Sequence, residues 1–115
     1  MGFKIEKEMM GDVAVLYASG ELVGGPPASV VFRSEIQKLF ENNITKVVFD
    51  FKKVKRLNSS GLGLLIRGHD VITKSGGDLR LTRLSKSTKG LIAITNLDSL
   101  FDTFATLEEA VGNLN

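Results

Sequence analysis

The chain has 115 residues, 43% of them hydrophobic, which is enough for one compact domain over residues 1–115 with a real core and too little for a second. A formal net charge of +2 gives no reason to expect nucleic acid as a partner, and the absence of cysteine excludes disulfides and thiolate metal sites. No apolar run approaches the ~20 residues needed to cross a bilayer, and no apolar stretch of a signal peptide opens the sequence. A cytoplasmic protein without membrane insertion is therefore expected, with a peripheral place beside a membrane complex left open.

Phe3 and Ile5 alternate with Lys4 and Glu6, which predicts a half-buried edge strand. After a Gly11-Asp12 turn, residues 13–18 are nearly continuous in apolar character and predict a central strand. The stretch from Gly20 to Pro27 breaks the periodicity and reads as a loop, with Pro27 suited to a helix start. Ala28, Phe32, Ile36, Leu39 and Phe40 recur at helical spacing and predict a first helix with that stripe buried, ending at Asn42-Asn43. Residues 44–51 are rich in β-branched and aromatic side chains and predict a buried strand after a crossover helix.

Leu62, Leu65, Ile66, His69 and Ile72 form a second helical stripe, stopped at Ser75-Gly76-Gly77. Leu79 and Leu81 restart a strand, and Leu91 and Ile92, with Ile94 or Thr95, mark a less regular helix after Ser85. A short strand is expected within residues 101–104. Thr106 and Glu109 then stand at capping-box spacing before Leu107, Ala110, Val111 and Leu114, so the chain closes with a helix. The alternation predicts an α/β fold: a mixed sheet of four to five strands packed with about four helices.

Catalysis requires convergent groups, and with one histidine and no metal-ligand spacing the sequence offers none; neither a catalytic residue, a metal nor a cofactor is expected. His69 lies on the apolar stripe of the second helix, where packing explains it better than chemistry. Gly61-x-Gly63 lacks the third glycine of a dinucleotide fingerprint and the lysine of a phosphate loop, and reads as a pair allowing close packing. Lys52, Lys53, Lys55 and Arg56 form a basic run with two readings, attraction of an acidic partner or phosphate, and a solvated loop.

The stretch Leu57-Asn58-Ser59-Ser60-Gly61-Leu62-Gly63 stands out. A serine pair at a helix start is a place where added negative charge is tolerated, because unpaired N–H groups and the positive end of the helix dipole face it. It reads as a switch site, sharing a surface with the Gly24-Gly25-Pro26-Pro27 loop.

Taken together, Gly20-Glu21-Leu22, the strand Lys46-Val47-Val48-Phe49-Asp50, the Asn58–Gly63 unit and Gly76-Gly77 resemble the STAS domain of bacterial anti-sigma factor antagonists over nearly the whole chain. The resemblance implies a binding protein without catalysis of its own. Such a protein sequesters an anti-sigma factor, itself a serine kinase using ATP and magnesium, so that a sigma factor is released; a phosphatase reverses the modification. By position Ser60 matches the phospho-acceptor, with Ser59 the second candidate. The partner-docking set is then Val23, Gly24, Gly25, Asn58, Ser59, Ser60, Gly61 and Leu62. The alternative role is that of a non-phosphorylated accessory STAS subunit of a lipid ABC transporter or a sensory complex. Two positions depart from the family pattern, which has aspartate where this chain has Asn58 and Val23. Asn58 keeps the ability to cap the helix but loses the charge.

Overall fold

Strands β1 (Phe3–Met10) and β2 (Val13–Leu22) form an antiparallel hairpin whose turn is made by Gly11, at φ +64°, and Asp12. The computed structural model describes residues 2–112 and 114. Beyond the hairpin the chain alternates α1 (Ala28–Glu41), β3 (Lys46–Leu57), α2 (Ser59–Lys74), β4 (Asp78–Thr82), α3 (Lys86–Ile94), β5 (Asp102–Phe104) and α4 (Leu107–Gly112). Strands β2 to β5 are parallel, and the sheet order β1-β2-β3-β4-β5 equals the sequence order. Because crossovers share one hand, winding steadily in one direction delivers α1, α2 and α3 to the same face of the sheet.

That face holds the main core. Ala14, Leu16 and Ala18 of β2, Val47, Phe49 and Phe51 of β3, and Leu79 and Leu81 of β4 meet Phe32, Ile36 and Leu39 of α1, Leu62, Leu65 and Ile72 of α2 and Ile92 of α3. The intervening residues Val13, Val15 and Val48 point the other way, into a smaller cluster closed by Ala110 of α4 with Leu107, Val111 and Leu114. The near-continuous apolar runs of β2 and β3 thus follow from burial on both faces. The Thr106–Glu109 capping box is formed: the Glu109 N–H donates to Thr106 Oγ1 at 3.2 Å, and the Thr106 N–H donates to Glu109 Oε1 at 3.3 Å.

Three expectations need correction. Phe40 is 54% exposed. At 100° per residue it lies roughly 80° round the helix from the mean direction of Ala28, Phe32, Ile36 and Leu39, outside the buried stripe. Strand β2 runs on to Leu22, so Gly20–Leu22 is strand and the loop is confined to residues 23–27. Strand β3 runs on to Leu57, so the basic run is strand and not loop. The added segments pair with one another, Ser19 with Lys53 and Leu22 with Leu57. Ala18 faces two residues of β3, Phe51 and Lys52, and Lys55 is a second extra residue between the Gly20–Val54 and Glu21–Arg56 pairs. These bulges erase the regular alternation that would have marked the strand in the sequence.

Candidate functional site

Parallel neighbours end on the same edge of the sheet, so the segments leaving β2 and β3 emerge side by side. This brings Val23, Gly24 and Gly25 against the start of α2. Asn58 is the N-cap, extended at φ −114° and ψ 179°, and its Oδ1 accepts the Gly61 N–H at 2.8 Å. Its carbonyl accepts the Leu62 N–H at 2.9 Å. Ser59 and Ser60 follow as the first two helical residues, and both are exposed.

Two close approaches fix this corner to the sheet. A Cβ on Gly61 would stand 1.9 Å from the Leu22 carbonyl oxygen, and a Cβ on Gly24 would stand 2.3 Å from Ser60 Cβ. Only glycine lets the helix start press against the end of β2 and the loop press against Ser60. Gly63 differs: its Cβ would meet nothing closer than Arg67 Nη1 at 4.0 Å, so it leaves bare helix surface and not a packing contact.

An open concavity of about 600 Å³ is lined by Val23, Gly24, Gly25, Asn58, Ser60, Gly63 and Arg67. Ser60 belongs to it and Ser59 does not. Of the expected docking residues, Gly61 and Leu62 are corrections: both are buried, Leu62 in the main core at 2% exposure, so they support the surface from beneath. Arg67 is the lining residue that the sequence reading missed. Its signal was its place two helical turns after Ser60, with a glycine between them on the same face.

The remaining candidates have structural explanations. His69 stacks edge-on against Phe101, with ring centroids 5.3 Å apart, on the packed side of α2. Asp50, the carboxylate buried in the sheet, accepts from Arg83 Nε at 3.1 Å and is also held by Arg83 Nη2. Its Oδ1 accepts the Lys52 N–H at 2.9 Å, closing the bulge, and the Asp50 hydrogen bond is the main reason the Arg83 pKa is raised. Tyr17 beside it has its pKa raised, first by burial and then by its hydrogen bond to Glu8. Among the described residues no group of three or more His, Asp or Glu side chains is placed to hold a metal, and no helix is long and apolar enough to cross a membrane.

A family model described as the STAS domain matches residues 4–110. The chain belongs to the STAS family. A candidate anti-sigma factor antagonist of Thermotoga maritima superposes on this STAS domain with a TM-score of 0.87, at 21% identity over 96% of this chain and 93% of that one. The Bacillus cell fate determinant SpoIIAA in its phosphorylated form gives 0.74 at 23% identity, covering 96% and 99% of the two chains. A sulfate transporter family protein of Wolinella succinogenes gives 0.78 at 14% identity, covering 94% and 88%. At these identities the likeness is one of fold.

Proposed function

We propose that this STAS protein is an anti-sigma factor antagonist that binds a serine kinase acting as anti-sigma factor, is switched by phosphorylation of Ser60, and has no catalysis of its own. The observation that carries the reading is the exposed Ser60 hydroxyl on the first turn of α2, seated on Gly24 and held over a capped helix start beside the Val23–Gly25 loop. A phosphate adds roughly −1.5 to −2 charge at neutral pH, enough to disrupt a complementary docking surface without unfolding a helix start that favours anions. The likeness to the candidate anti-sigma factor antagonist of Thermotoga and to the phosphorylated Bacillus SpoIIAA supports the same role. It is a cytoplasmic one, with a phosphatase resetting the switch.

Two absent carboxylates favour a second reading. Asn58 caps α2 without charge, and Val23 is a half-buried apolar residue on the rim of the concavity. A STAS domain used as a non-phosphorylated accessory subunit of a transporter or sensory complex has no need of either charge, and the Wolinella protein belongs to a transporter family.

Incubation with labelled ATP and any serine kinase co-encoded with this protein separates the two. Phosphate is expected at Ser60, and faster in an Asn58→Asp, Val23→Asp double variant, whose carboxylates can accept the serine hydroxyl's hydrogen bond or help organise magnesium. No incorporation into either protein overturns the switch and favours the accessory role.

A further inference from the structure

The concavity holding Ser60 has one charged lining side chain, Arg67. Arg67 also lines a second feature, an apolar groove of about 300 Å³ between α1 and α2 built from Phe32, Ile36, Leu64 and Val71, with Arg33 on its other side. Among the described residues no carboxylate pairs with Arg67. One guanidinium therefore stands between two surfaces and is committed to neither.

We infer that Arg67 is the intramolecular partner of a phosphate on Ser60, and that this pairing draws its charge out of the α1–α2 groove. The inference rests on Ser60 as the phospho-acceptor. Two turns of helix place Ser60 and Arg67 within roughly 20° of each other on one face. Helical side chains lean toward the N-terminus, and Arg67 follows the rule: its Nη1 lies 4.0 Å from where a Gly63 Cβ would be. Cβ positions three residues apart on a helix are separated by about 5–6 Å, so the guanidinium already reaches to within one turn of Ser60.

The route between them is bare because Gly63 has no side chain. Gly24 closes the other side, since its own Cβ would lie 3.2 Å from Ser60 Oγ. With the loop side closed, the space left to a phosphate on that oxygen is the open concavity that Gly63 and Arg67 also line. A guanidinium presents two parallel N–H donors to phosphate oxygens, which lysine cannot do. Once so engaged, Arg67 no longer contributes its charge to the groove, where Arg33 remains. The modification is then felt between α1 and α2 without any backbone movement.

The test needs no kinase. Phosphoserine is installed at residue 60 during translation, and the phosphate is titrated by phosphorus NMR. Exchanging Arg67→Gln is expected to raise its second pKa by roughly half a unit, the size of one nearby exposed charge, and Arg67→Lys to recover part of that shift. The Arg67 Nε–Hε resonance should move on phosphorylation. Phosphoserine at residue 59, roughly 100° round the helix, should respond to neither substitution. An unchanged pKa in the Arg67→Gln protein, or equal responses at 59 and 60, overturns the pairing. That result would leave the kinase assay at Ser60 untouched, just as a failed kinase assay would leave this titration valid.

Discussion

The lower half of the β2–β3 pair, residues 13–17 against residues 46–50, keeps one register and is buried on both faces apart from Tyr17 and Lys46; the upper half, residues 19–22 against residues 53–57, carries two bulges and four exposed cations in and beside it. The lower half anchors the core. The upper half is a bulged ribbon whose ends carry the Val23–Gly25 loop and the start of α2. Asp50 stands at the boundary, tying Arg83 on one side and the bulge N–H of Lys52 on the other. The lower half thus supplies most of the strand core, while the upper half adds Leu22 to it, with Val54 and Leu57 packed against that core, and presents the serine corner.

The sharpest way to test that division is to truncate one side chain in each half. Phe49 is fully buried between Phe32 and Phe51, with ring centroids 5.6 and 5.0 Å away, and Phe49→Ala is expected to cost about 3–5 kcal/mol in urea unfolding. Lys53→Ala in the upper half should stay within about 0.5 kcal/mol. Equal losses would mean that the exposed face of the ribbon is packed as tightly as the lower half.

A smaller effect of opposite signs comes from the two glycines at the start of α2. Gly61→Ala drives a methyl into the Leu22 carbonyl and is expected to destabilise by about 1–3 kcal/mol, with amide shifts at Leu22, Val23 and Ser60. Gly63→Ala meets no packed atom and should stabilise by up to about 1 kcal/mol through helix propensity. If both behave alike, the ribbon end does not grip the helix.

The smallest effect lies at the far end of the lower half. The Asp12 carboxyl is held below its ordinary pKa mainly by its hydrogen bond from Lys46 Nζ at 2.8 Å. A depressed carboxylate contributes stability above its unfolded pKa and loses it as the pH falls through the folded value. Asp12→Asn should therefore change little below the carboxylate range and lower the melting temperature slightly at neutral pH; a loss confined to acid pH would reverse the assignment.

The lower half, the helices on the main core and the capping box at Thr106 were legible because hydrophobic period and cap chemistry are local. Gly11-Asp12 as a turn and Ser75-Gly76-Gly77 as a helix stop were legible for the same reason. The upper half was not: Lys52, Lys53, Lys55 and Arg56 look like loop because two bulges scramble the alternation, and the hydrogen bonds that make them strand come from Ser19–Leu22, more than thirty residues earlier. At the candidate site, Asn58 as cap and the exposure of Ser59 and Ser60 could be read from helix-start chemistry. The burial of Gly61 and Leu62 and the reach of Arg67 required knowing which strand end lies beneath and which side of α2 stays open.

The contact of Gly61 with the Leu22 carbonyl has a consequence for encounter. It holds Ser60, the proposed acceptor, on a turn already packed against the sheet, so a protein docking there would meet a backbone with little conformational search left to make. The backbone share of the ordering entropy would then fall mainly on the visitor. On that reading, differences in affinity among visitors would reflect how much of their own chain each must immobilise to take the impression of this corner.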